Sequence, residues 1–188
     1  MAQEVAGSSP VVRPMEAPRS RVAESGLLTI DLEALLGGGA IKDFDIAKYL
    51  EEGILLREKP FRAALESVDW SVYRDALVAI HCSVDAIIPP WAYLLVAKHL
   101  SGVSQYYAYC KPEEIRERYQ LLRLAQMDFT QYTDKRLLLK GCAQVSPAVM
   151  VEFFRRAQPH AQLIFYGEAC SSVPVYKRTL ARKSYDQV

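Results

Sequence analysis

Two observations predict an α/β fold with a mostly parallel sheet. Strand-like and helix-like segments alternate through the middle of the chain, and one unit is written twice. The first copy, residues 69–109, opens Asp69-Trp70-Ser71-Val72-Tyr73-Arg74-Asp75, and the second, residues 128–166, opens Asp128-Phe129-Thr130-Gln131-Tyr132-Thr133-Asp134. Each then runs through an apolar segment to a cysteine, Cys82 or Cys142. A proline, an apolar-rich helix and a second strand ending in tyrosine follow. Parallel strands need helical crossovers, and right-handed crossovers leave few topologies. The expected architecture is a sheet with helices on both faces, built from two βαβ-like repeats plus an N-terminal strand.

Residues 1–22 carry Pro10, Pro14, Pro18 and Gly7 without a helix or strand period, so a disordered tail is expected there. A single domain is expected over 23–178, with a C-terminal tail at 179–188. Leu27 to Leu32 is a β-rich run suited to a sheet edge. Gly37-Gly38-Gly39 is a break; with no Lys-Ser/Thr after it and no Gly-x-Gly-x-x-Gly, it lacks the marks of a phosphate loop. A short helix is expected over 45–50, a short strand over 54–56, and a helix with Pro60 in its first turn running to about Val68.

Inside the repeat, Leu77-Val78-Ala79-Ile80 is apolar throughout, as a strand buried on both faces would be. A helix from Pro90 to Leu100 and a strand over 105–109 follow. Lys111-Pro112-Glu113-Glu114 places proline and two acids at a helix start, and Ile115, Tyr119, Leu122 and Gln126 are spaced for one face of that helix. The second copy repeats the order: a strand over 137–139, a helix over 147–157 and a strand over 163–166.

At 188 residues the chain can bury roughly 70% of its unfolded surface without staples. A net charge of +1 provides no field for nucleic acid or an anionic membrane, and no apolar run approaches the ~20 residues of a membrane span. Four cysteines without an apolar leader suggest thiols, metal ligands or small buried hydrophobes, and a cytoplasmic setting.

In one parallel sheet every strand ends on the same edge. Cys82, Cys110, Cys142 and Cys170, each following a strand, would then share the side where open α/β sheets build their sites. Thiolates are favoured near helix N-termini, and a converging set can hold zinc or an iron–sulfur cluster. Asp85 would complete a set of four with Cys82, Cys142 and Cys170; the second copy has Gly167 where the first has Cys110. Inert packing and a reactive thiol are the competing readings. Asp69, Asp75, Asp128 and Asp134 bracket turns, where Asp bonds nearby amides. His81 suits a packed or surface position. His99 and His160 fall on the side of the helices away from the cysteine edge, and no Gly-x-Ser-x-Gly or Cys–His pairing is legible.

The segments Ser25 to Glu33, Cys82-Ser83-Val84-Asp85-Ala86-Ile87-Ile88-Pro89 with Trp91-Ala92-Tyr93, Lys140-Gly141-Cys142, and Gly167 to Lys177 carry a further signal. Through them the chain resembles a bacterial family catalogued as domain of unknown function 2480, over about Val22 to Arg178. The resemblance implies no assigned activity and a gene neighbourhood similar to that of iron–sulfur cluster assembly. Its family-like cysteines are Cys82, Cys142 and Cys170. The functional expectation is thus a metal or cluster held by Cys82, Asp85, Cys142 and Cys170, as an accessory to iron–sulfur assembly proteins. The alternatives are a non-catalytic interaction module and a thiol-based sulfur-transfer protein.

Overall fold

The computed structural model describes residues 26–141, 144–168 and 170–179. The expected tail at 1–22, nearly all of the tail at 179–188, and Cys142 lie outside them. Strands and helices alternate as the α/β reading requires, but the strands divide between two sheets. β1 (Leu27–Ile30), β5 (Arg136–Leu139), β6 (Leu163–Tyr166) and β7 (Val173–Lys177) form one sheet in that order. β2 (Ile41–Asp45), β3 (Leu77–His81) and β4 (Tyr106–Tyr109) form the other. Every pairing is parallel except β6 with β7. The N-terminal strand lies at an edge, beside β5, as expected.

The helices are α1 (Leu32–Leu36), α2 (Glu58–Glu66), α3 (Pro90–Leu100), α4 (Ile115–Gln126) and α5 (Pro147–Ala157). Val78 and Ile80 of β3 pack with Phe44, Phe61 and Leu65 of β2 and α2, and with Ala92, Val96 and Leu100 of α3. Leu77 and Ala79 point to the other face, against Ile115 and Tyr119 of α4. This double burial is why β3 reads as a continuous apolar run. In the second sheet, Leu137, Leu139, Ile30 and Ile164 pack on Val149, Phe153 and Ala157 of α5 and on Leu124 of α4. One helix, α4, therefore lies between the sheets and contributes to the core of both.

The duplication reaches further than the sequence shows. The first copy forms β3-α3-β4 and recruits β2, which precedes it; the second forms β5-α5-β6 and recruits β1, from far upstream. Asp31 after β1 and Asp45 ending β2 play the same part, each carboxylate accepting from an amide of the helical turn that follows (Ala34 and Ala47, both 3.0 Å). One unit is thus nested inside the other. The paired turns match as well: Asp69 Oδ1 accepts from the N–H and hydroxyl of Ser71 (3.0 and 2.6 Å), and Asp128 Oδ1 from those of Thr130 (2.9 and 2.7 Å). Asp75 and Asp134 both adopt left-handed backbone, at φ +55° and +58°.

Four elements differ from expectation: α1 and β2 form where neither was expected, and two segments change type. Residues 54–56 are not a strand: Gly53 at φ +73° turns the chain back, and only an isolated bridge joins Glu51 to Leu55. The loop after β6 becomes β7, an antiparallel strand that tolerates Pro174 because it is outermost.

Candidate functional site

The helices that follow β3 and β4 leave toward opposite faces of their sheet, α3 to one side and α4 to the other. Where outgoing connections part in this way, a crevice opens beyond the carboxyl ends of the strands. Here it has a volume of about 500 Å³ and is lined by Cys82, Tyr93, Tyr109, Cys110, Lys111 and Arg118, with His81, Asp85 and Glu114 at its walls.

Each wall is held from beneath. Asp45 Oδ1 accepts from the Ser83 amide at 3.0 Å as well as from Ala47, tying the segment after Cys82 to the end of β2. Burial pushes the Asp45 carboxyl up, yet the hydrogen bonds from Ser83 and Ala47 prevail and hold it below the usual carboxylate range. His81 Nε2 stands 3.2 Å from Asp43 Oδ2, which fixes the ring across the β2–β3 pairing. Tyr93 meets Tyr109 edge-on with ring centroids 4.9 Å apart. Burial raises the Tyr93 phenol, with Tyr109 and Cys82 adding to the effect. Arg118 of α4 pairs at 3.1 Å with Glu114, the residue just before that helix.

The two thiols differ. Cys110 is buried, its Sγ 3.8 Å from the Ala108 carbonyl, and burial pushes its thiol above the ordinary value despite Arg118 nearby. Cys82 is half-buried and opens into the crevice.

Of the residues expected to form a site, Cys82 and Asp85 line this cavity. Cys170 is exposed in the connection between β6 and β7, in the other sheet, and Cys142 lies outside the described residues. The single edge that was to gather all four thiols does not exist, because their strands belong to two sheets. The segments after β3 and β5 correspond, offset by one residue at the cysteines: Ile80 pairs beside Phe44 as Leu139 pairs beside Ile30, which aligns Cys82 with Gly141. Among the described residues, no group of three or more His, Cys, Asp or Glu side chains is placed to hold a metal ion. Cys110, set aside because the second copy lacks it, is the thiol that shares the crevice with Cys82. Tyr93, Lys111 and Arg118 join it because α3 and α4 begin there, a convergence that depends on which face each helix takes.

A family profile described as protein of unknown function, DUF2480, matches residues 17–178. The chain belongs to this family. No curated protein and no solved structure matches it. The match to DUF2480 takes in every described strand and helix, the crevice and all four cysteines. No helix among the described residues is long and apolar enough to cross a membrane.

Proposed function

We propose that this chain is a binding protein whose working site is the crevice at the ends of β3 and β4, with Cys82 as its reactive thiol. What carries this is one convergence: a half-buried thiol, two tyrosine rings, and Lys111 and Arg118 around about 500 Å³, the size range of small-ligand pockets. Lys111 and Arg118 suit an anionic group, while the Tyr93–Tyr109 wall suits the apolar body of a small polar ligand. Iodoacetamide labelling followed site by site by mass spectrometry tests it. Cys82 should react at least about tenfold faster than Cys110, whose buried thiol stays protonated at neutral pH. Equal rates would remove Cys82 as the site's reactive group.

A second reading keeps a metal or cluster, zinc or iron–sulfur, in the service of iron–sulfur assembly partners, but narrows its ligands in this chain from Cys82, Asp85, Cys142 and Cys170 to Cys82 and Asp85, since Cys170 follows a strand of the other sheet. It is favoured by Cys82 and Asp85 lining one cavity. Protein purified without air should then carry zinc or iron that Cys82→Ser loses and Cys170→Ser keeps; metal-free wild type would end this reading. The free thiols of Cys82, Cys110 and Cys170 suit the reducing cytoplasm. Nucleic acid is not among the ligands proposed, given the net charge of +1.

A further inference from the structure

Among the described residues β4 pairs with β3 alone and is the outer strand of its sheet. Its counterpart in the second copy, β6, is covered by the antiparallel β7. Tyr106 and Cys110 donate their N–H groups to Ala76 and Ile80, both at 3.3 Å. Alternation along the strand therefore turns the N–H and C=O groups of Tyr107 and Tyr109 away from β3. In β6 the corresponding residues are Ile164 and Tyr166, and these are the ones that sit opposite Tyr176 and Val173 of β7. The repeat thus shows what this edge accepts: an antiparallel strand.

Outer strands normally carry something that discourages pairing. β2 has Lys42 and Asp43, and β7 has Pro174 and Lys177, whereas β4 is Tyr-Tyr-Ala-Tyr. β1 is uncharged too, but its counterpart β2 is itself outermost, so the repeat supplies no neighbour for it.

We propose that β4 pairs antiparallel with β4 of a second copy about a twofold axis at Ala108, joining two three-stranded sheets into one. Tyr107 then exchanges hydrogen bonds with Tyr109 of the partner subunit, and Tyr109 with Tyr107 of the partner subunit. Ala108 meets its own copy at the closer, non-hydrogen-bonded position, where Cα atoms stand about 4.5 Å apart and a small side chain fits. A second copy suits this edge better than a lone strand. β7 covers β6 and still leaves Val151 of α5 65% exposed, in one groove with Tyr166 and Val175; its match on α3, Leu94, is 70% exposed, and Tyr109, the match of Tyr166, is 67% exposed. A lone strand would leave Leu94 bare, while a second copy brings its own α3 alongside. Tyrosines facing one another across the strands add aromatic cross-strand pairs.

Sedimentation velocity on the full chain over a wide concentration range, with residue-resolved hydrogen exchange at Tyr107 and Tyr109, tests this. The expected result is twice the 21.2 kDa mass of one chain, with both amides protected at least about tenfold and losing protection on dilution. Tyr109→Asp, which sets like charges beside the axis, and Leu94→Asp, outside the strand, should each shift the mass toward a single chain. A wild type that stays monomeric overturns the proposal, including one whose two amides are protected, since another strand then covers the edge. So does a dimer in which these amides exchange freely, or one that survives both substitutions. Should either variant fail to fold, the wild-type mass and exchange decide.

Discussion

Asp75 and Asp134 show how a repeated residue encodes a repeated turn. Both sit where the chain enters a strand, both at positive φ, and each amide donates to a carbonyl from the turn beyond the following helix: Asp75 to Val103 at 3.1 Å, Asp134 to His160 at 3.0 Å. Asp tolerates left-handed backbone; a β-branched residue does not. Asp75→Val should cost about 1–2 kcal/mol of stability in denaturant unfolding, while Asp75→Gly should stay within about 0.5 kcal/mol of wild type. Equal losses for both would show that the carboxylate, and not the backbone, matters at this position. Gly39 answers to a different constraint: a Cβ there would lie 2.0 Å from the Asp75 carbonyl oxygen, so what reads as a flexible glycine run is also a close approach between the start of β2 and this turn.

At the scale of elements, α5 carries the clearest electrostatic feature. Glu152 is gripped by Arg155 at 2.7 Å and by Arg156 at 2.6 Å, and hydrogen bonds from the two, Arg155 first, hold its carboxyl down to about 2. A carboxylate depressed in the folded state stabilises above its unfolded value, here 4.5, and that contribution is lost as pH falls toward about 2. Glu152→Gln should therefore lower stability at pH 7 by about 1 kcal/mol, the upper end for pairs at the surface, since Glu152 and Arg156 are both half-buried. The difference from wild type should shrink below pH 4.5 and be gone near pH 2; a difference constant across that range would assign the loss to packing. Which elements the sequence announces follows from burial. β3 and β5 are legible because each holds an unbroken apolar run, Leu77 to Ile80 and Leu137 to Leu139, and α3 and α5 because each starts at a proline. β2 and β7 are not, because these two outer strands carry charge or proline where an inner one carries Val or Leu.

For the molecule as a whole, residue spacing states that strands are parallel but not which strands share a sheet. Two nested units give each copy its own sheet, with α4 between them, and this separates Cys82 and Cys110 from Cys170. That Cys82 and Asp85 would lie together beyond the carboxyl ends of the strands was legible, and both line the crevice there. The membership of Tyr93, Lys111 and Arg118 was not, since it depends on α3 and α4 departing to opposite faces.

Cys82 and Cys110 open onto one crevice that Cys170 does not share, and the reaction rates of the three thiols measure this. With Cys82 first blocked by a bulky maleimide, iodoacetamide labelling of Cys110 should slow several-fold while that of Cys170 is unchanged. Unaltered reactivity of Cys110, or an equal slowing of Cys170, would contradict it.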